Sequence, residues 1–201
     1  CGVDLAVGCT YKYGNSGPGS PAWLYVSKRV QKELQVPIQG WFAQDAQFEM
    51  GAVFERAKSI RGFQIASPSL MGIRCVQTAF EMIKEAGIDA IAHKAAVGTQ
   101  MMIELYDAWL APLGLELNTS RDAKERGGHI SLVHPDAAQI CVAMRTISNV
   151  IPDYRTPNSI RLAISPLPTS FVEVWDGLER MRDLVASGRY KEVREGGSRV
   201  T

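Results

Sequence analysis

Apolar residues alternate with polar or small ones through Val3-Asp4-Leu5-Ala6-Val7-Gly8 and gather again at Ala22–Val26, predicting two short strands. A Gly/Pro-rich turn, Asn15 to Ser20, separates them. Lys28 to Leu34 suits a short helix that ends before Pro37. From Gln39 to Arg61 aromatic and polar residues mix without a sustained period, which predicts an ordered loop. The period then lengthens. Leu70, Ile73, Val76, Phe80 and Ile83 predict a helix over Ser69–Ala86 with Gly87 as its stop. Ile91, Ala95, Gly98, Met102, Leu105 and Trp109 continue that spacing and predict a long helix reaching Leu113, bridging two domains. Met101 and Met102 belong to its packing face rather than to a ligand set. Beyond it come a strand at His129–Val133, a helix at Pro135–Arg145, strands at Val150–Tyr154 and Ile160–Ile164, and a helix at Ser170–Leu184. Such alternation defines a small α/β domain. The expected division is 1–87, the end of a larger domain; 88–114, the bridging helix; and 115–201, the small domain. The tail after Ser187, with Lys191, Arg194, Gly196 and Gly197, is expected to fray.

Bulk properties narrow the function without naming it. With 201 residues and 46% hydrophobic content, the chain is long enough to bury a sizeable core. Its 22 basic and 21 acidic residues leave a formal net charge of +1 and form no block, so the electrostatic footprint of a nucleic-acid binder is missing. No apolar run approaches the roughly 18 residues that cross a bilayer, and no signal-like core follows the N-terminus. A cytoplasmic location without nucleic-acid or membrane partners is the expectation. Cys1, Cys9, Cys75 and Cys141 lie far apart, suggesting buried thiols rather than a zinc ribbon or disulfide framework. His93, His129 and His134 lack metal-ligand spacing; the last two flank an apolar strand, a position suited to structural histidines.

One lysine stands out. Lys12 follows the first strand and immediately precedes the glycine-rich turn, so it sits where the chain leaves the core. Partial desolvation there would favour the neutral, nucleophilic amine. The natural use of such an amine is covalent attachment to an aldehyde cofactor.

The residues around it carry a resemblance. Gly8-Cys9-Thr10-Tyr11-Lys12-Tyr13 with Asn15, followed by Gly17-Pro18-Gly19-Ser20-Pro21-Ala22, is similar to the cofactor-lysine segment of kynureninases. These belong to the fold-type I, class V aminotransferase superfamily of enzymes that use pyridoxal 5′-phosphate (PLP). Further blocks resemble the family in the same order: Gln39-Gly40-Trp41-Phe42, Phe48-Glu49-Met50, Ala66-Ser67-Pro68, Arg126-Gly127-Gly128-His129, Ile151-Pro152-Asp153-Tyr154-Arg155 and Pro157-Asn158-Ser159-Ile160-Arg161 running into Ser165-Pro166-Leu167-Pro168-Thr169-Ser170-Phe171. Together they cover nearly the whole chain. The resemblance implies an α/β fold in which the end of the PLP-binding large domain is followed by the small C-terminal α/β domain. In the family the lysine lies past the middle of a chain about twice as long by ordinary domain sizes. The sequence is therefore expected to be a C-terminal portion, with the aspartate that pairs with the pyridine nitrogen and the ring-stacking aromatic lying upstream.

Roles follow from the same resemblance. Lys12 would carry PLP and shuttle the substrate's α-proton, and Tyr11 would contact the phosphate and relay a proton. Trp41 and Ser67 would reach the phosphate of the neighbouring subunit, which makes a homodimer with shared active sites the expected assembly; an indole N–H and a hydroxyl both suit phosphate oxygens. Arg161 would hold the substrate α-carboxylate, for which its planar fork is fitted. Asn15 and Arg61 are weaker candidates and stay outside the set. Departures are visible too: Ala43-Gln44 stands where kynureninases carry Gly-His, Pro168 where they usually carry tyrosine, and Gly14 where leucine is typical. The implied reaction is hydrolytic cleavage of L-kynurenine, or its 3-hydroxy form, to anthranilate or 3-hydroxyanthranilate and L-alanine, a step of tryptophan catabolism. Two alternatives stay open: a class V aminotransferase or desulfurase-like enzyme on another amino acid, and a truncated homologue without turnover.

Overall fold

In the computed structural model, which describes residues 1–193, Leu5–Cys9 (β1) pairs antiparallel with Ala22–Val26 (β2) as a two-stranded sheet. The register sets Gly8 opposite Trp23, whose indole lies across the glycine; a Cβ on Gly8 would stand 2.6 Å from that ring. The expected helix at 28–34 is instead a chain of turns from Ser27 to Leu34. The loop expected from Gln39 holds two short 3-10 turns, Trp41–Ala43 and Ile60–Phe63, tied by the isolated antiparallel bridge Gln44 to Arg56. Leu70–Ala86 (α1) follows, with Ser69 accepting the Gly72 N–H at its start. These elements form the first of two compact units, Cys1–Glu85. Its apolar side chains are largely open: Val7 is 76% exposed, and Leu70 and Phe80 on α1 are exposed as well.

The second unit, Ala86–Thr201, begins with Gly87 at φ +82°, a left-handed conformation that suits glycine and separates α1 from Ile88–Leu105 (α2). Helical spacing runs on as predicted, but the α-helix does not reach Leu113. It widens into a π turn at Tyr106–Leu110 and tightens into a 3-10 turn at Ala111–Leu113, where Pro112 supplies no N–H and Gly114 (φ +87°) ends it. α2 packs on elements of this same unit.

Four antiparallel strands complete the unit, in the order β3-β4-β6-β5: Glu116–Leu117 (β3), His129–Val133 (β4), Asp153–Arg155 (β5) and Ser159–Ala163 (β6). Ala137–Thr146 (α3) and Phe171–Ala186 (α4) pack with α2 on one side of the sheet. Ile130, Leu132 and Ile160 are fully buried beneath them together with Ile140, Met144 and Met181, and the alternate strand residues face the other way. α4 starts with a capping box: Ser170 accepts the Glu173 N–H while Glu173 accepts the Ser170 N–H. Tyr106 is buried with its hydroxyl satisfied, donating to Leu115 and accepting from Leu117, which fixes the edge strand β3.

Two expectations need correction here. Arg189–Glu192 does not fray but forms a 3-10 turn, because Tyr190 is buried against His134 and its hydroxyl lies 3.1 Å from Asp136. Arg194, Gly196 and Gly197 lie outside the described residues. Of the cysteines, Cys141 alone is buried; Cys1, before the first strand, Cys9 on β1 and Cys75 on α1 are exposed. Burial pushes the Cys141 thiol up to about 12. Among the described residues, no helix is long and apolar enough to cross a membrane.

Candidate functional site

Lys12 is carried by a loop held from within. Thr10 and Ser16 are buried polar anchors: the Thr10 hydroxyl donates to the Pro21 carbonyl at 2.6 Å and the Ser16 N–H to the Thr10 carbonyl at 3.1 Å. The Lys12 carbonyl accepts the Asn15 N–H, closing a turn whose last residue has φ +53°. Gly14 backs onto this turn so tightly that a Cβ would lie 2.5 Å from the Thr10 carbonyl oxygen and 3.2 Å from Phe80. With every inward position taken by small or hydroxyl residues, the Lys12 side chain points out and is exposed, 5.5 Å from the centroid of the neighbouring Tyr11 ring. The expected desolvation of this amine is therefore not observed: the loop is ordered, but the amine is open to solvent.

Trp41 and Ser67, well separated along the chain, come from segments that the fold lays side by side. A Cβ on Gly40 would stand 2.1 Å from the Ile65 carbonyl oxygen, so only glycine lets the two stretches meet. Ser67 is exposed. Trp41 is half-exposed between Phe42 and Phe48, both edge-on at 5.6 Å, and its indole N–H already donates to the Gln47 carbonyl at 2.7 Å. Gln44, the residue standing where the family carries histidine, accepts the Glu55 N–H and takes part in the bridge to Arg56, while Ala43 is buried. This departure from the pattern has a local structural task. Arg61 bonds the Asp45 carbonyl, and the Asn15 amide bonds the Tyr13 carbonyl; both are engaged within their own loops.

In the second unit Arg161 lies on the open face of the sheet, because Ile160 and Leu162 on either side of it turn into the core. The register sets Ser131, Arg161 and Asp153 in one row across β4, β6 and β5. Arg161 Nη2 bonds Asp153 Oδ2, and Arg155 reaches the same oxygen through Nε at 2.9 Å and Nη2 at 2.7 Å. His129, half-buried on this face, is held below the ordinary imidazole value by burial and then by the charge of Arg161. Asp153, Arg155 and His129 were not singled out as site residues from the sequence. The observed strand is Asp153–Arg155 rather than the expected Val150–Tyr154, and only its register shows that Asp153 is opposite Arg161.

Two further polar residues of this unit serve the scaffold. Arg126 ties the loop before β4 to α2 through Thr99 Oγ1 (3.0 Å) and Gln100 Oε1 (2.8 Å). His134 accepts the Asp136 N–H at 3.0 Å near the start of α3, a structural use of imidazole. No cluster of three or more His, Cys, Asp or Glu side chains that could hold a metal occurs among the described residues.

The α/β architecture of the second unit is that of the small C-terminal domain of fold-type I PLP-dependent enzymes. Solved structures share the fold: a cysteine desulfurase from Thermococcus onnurineus NA1 has a TM-score of 0.73 at 16% identity, over 92% of this chain and 48% of that one. An alanine–glyoxylate aminotransferase from Nostoc sp. has a TM-score of 0.65 at 14% identity, with the same coverages. Residues 91–181 match the family model of the kynureninase C-terminal domain. The chain is 37% identical over 193 residues to the kynureninase of Geobacillus thermodenitrificans strain NG80-2, covering 95% of this chain and 45% of that protein. It is 36% identical over 183 residues to the kynureninase of Burkholderia mallei strain SAVP1, covering 91% and 44%. The chain belongs to the kynureninase family and spans somewhat less than half the length of these curated relatives.

Proposed function

We propose that this protein works as a PLP-dependent hydrolase of the kynureninase type, cleaving L-kynurenine or 3-hydroxykynurenine to the corresponding anthranilate and L-alanine, as a cytoplasmic homodimer with shared sites. What carries the reading is the 35–37% identity to proteins named kynureninase, sustained over 91–95% of the chain. The lower-identity structural likeness to a desulfurase and an aminotransferase speaks to fold alone.

The residues fit the cofactor. Lys12 offers an exposed amine that is in none of the ion pairs among the described residues, on a loop whose internal hydrogen bonds define its position. Tyr11 and Ser67 present their side chains outward for phosphate oxygens, and Trp41 does so once its N–H exchanges the Gln47 carbonyl for phosphate. Bound there, PLP supplies an electron sink for the pair left when the substrate's α-proton departs. Lys12 Nζ holds the cofactor and then takes the proton from the substrate Cα, returning it later in the cycle. For the substrate's α-carboxylate, Arg161 offers two parallel N–H donors. Trp41 and Ser67 serve the phosphate of the partner subunit's site.

Borohydride reduction of the PLP-loaded protein followed by peptide mapping tests this directly: the pyridoxyl label is expected on Lys12, and label on another residue or on none overturns the assignment. Anthranilate fluorescence after addition of L-kynurenine tests the reaction itself. Transamination products without anthranilate would move the protein to the aminotransferase class.

A further inference from the structure

The arginine face contains more than its arginine. Asp153 is three-quarters buried and accepts from both Arg161 and Arg155 on a single oxygen, Oδ2. An arginine on a strand is a long, flexible side chain whose head samples many positions, and holding it for a planar, two-point contact costs conformational entropy at each binding event. A partner that already restrains the guanidinium removes part of that cost. Asp153 engages Arg161 through Nη2 alone. With five N–H donors in a rigid fork, the guanidinium keeps one full edge for a second carboxylate. Two further observations fit. Ser131, opposite Arg161 on the β4 side, is small and uncharged, so that flank of the row is free of a competing acid. Arg155 shares the Asp153 oxygen, so the three charged groups together carry one net positive charge, which matches a single carboxylate.

We infer that Asp153, braced by Arg155, is the positioning residue that sets Arg161 for the α-carboxylate of an amino-acid substrate, and that this trio makes the face selective for ligands bearing that one carboxylate. The inference rests on the proposed role of Arg161. The rival physical outcome is that Asp153 occupies Arg161 as a resident competitor, in which case removing it would tighten carboxylate binding.

The experiment compares two ligands of the PLP-loaded protein by calorimetric titration: L-alanine, and ethylamine, which is the same amine without its carboxylate. The preference for L-alanine is expected to fall about tenfold in Asp153→Asn, which keeps the size and removes the charge, and at least as far in Asp153→Ala. In turnover, Asp153→Asn is expected to raise KM for L-kynurenine about tenfold while kcat stays within about threefold. A merely structural role would weaken both ligands alike and leave their ratio unchanged. An unchanged or increased ratio in Asp153→Asn overturns the inference; if Asp153→Ala does not fold, the isosteric variant decides alone. Arg161→Lys separates the two levels. Loss of the preference there with none in Asp153→Asn sinks only the positioning role, whereas an unchanged preference in Arg161→Lys sinks the carboxylate assignment of Arg161 and everything built on it.

Discussion

Ile130 on β4 is fully buried while Val7 on β1 is 76% exposed, although both occupy apolar positions of short strands with similar sequence patterns. The difference lies in what each unit brings to its own sheet. In Ala86–Thr201, α2, α3 and α4 cover one face of four strands and close a contiguous core from Met102 to Tyr190. In Cys1–Glu85 two strands pair with each other, and Val26, Ala43, Ala57 and Ala79 are its buried hydrophobic residues among those described. A two-stranded ribbon has too little covered area to be stable by itself. Alternation marks a face as suited to burial; burial itself needs a second layer.

Hydrogen exchange is expected to show the largest contrast. Amides of β4 and β6 should open only with the whole second unit, and those of β1 and β2 should exchange at least about a thousandfold faster in the 201-residue chain. Equal protection in the two sheets would mean that the first unit is as stable as the second. Truncation in the core comes next: Met181→Ala should lower the stability of the second unit by about 2–5 kcal/mol in urea denaturation, whereas Val7→Ala should change that of the first unit by less than about 0.5 kcal/mol. Comparable losses would mean that the first unit packs its strands as tightly as the second.

Alkaline pH gives the smallest effect and sharpens the same contrast. Folding holds Cys141 near 12 against an ordinary thiol value of 9.0, so the protonated thiol belongs to the folded state. Its contribution is fully present below pH 9, begins to fall as the unfolded thiol ionises, and is gone above pH 12. Stability should drop by about 1 kcal/mol on going to pH 10, and a Cys141→Ala variant should lack that component of the pH slope. The exposed Cys1, Cys9 and Cys75 should react with a thiol reagent without unfolding, while Cys141 reacts only after it.

Much of the second unit was legible from its residues. Ile130 and Leu132 alternate with polar neighbours, α2 keeps Gly98, Met102 and Leu105 at helical spacing, and Ser170 with Glu173 spells the start of α4. β3 was not legible, since two residues carry no period and its place depends on the buried Tyr106 hydroxyl. The turn at Arg189–Glu192 was not legible either, since polar residues and glycines surround its one aromatic, Tyr190, which is buried against His134 and packs with α3. In the candidate site, Lys12, Tyr11, Trp41, Ser67 and Arg161 could be singled out from their motifs. The ion-pair partner of Arg161 could not.

Local chemistry along the chain determined that a lysine ends a strand at a glycine-rich turn, that helices start and stop at Ser69, Gly87 and Ser170, and that Arg161 faces away from a core. Those properties depend on neighbours a few residues away. Tertiary structure alone decided that Lys12 stands in solvent, that the Trp41 N–H meets Gln47, and that Asp153 lies beside Arg161. Burial and ion pairing depend on which distant surfaces meet and in what strand register, and a sequence pattern fixes a face without naming what lies opposite it.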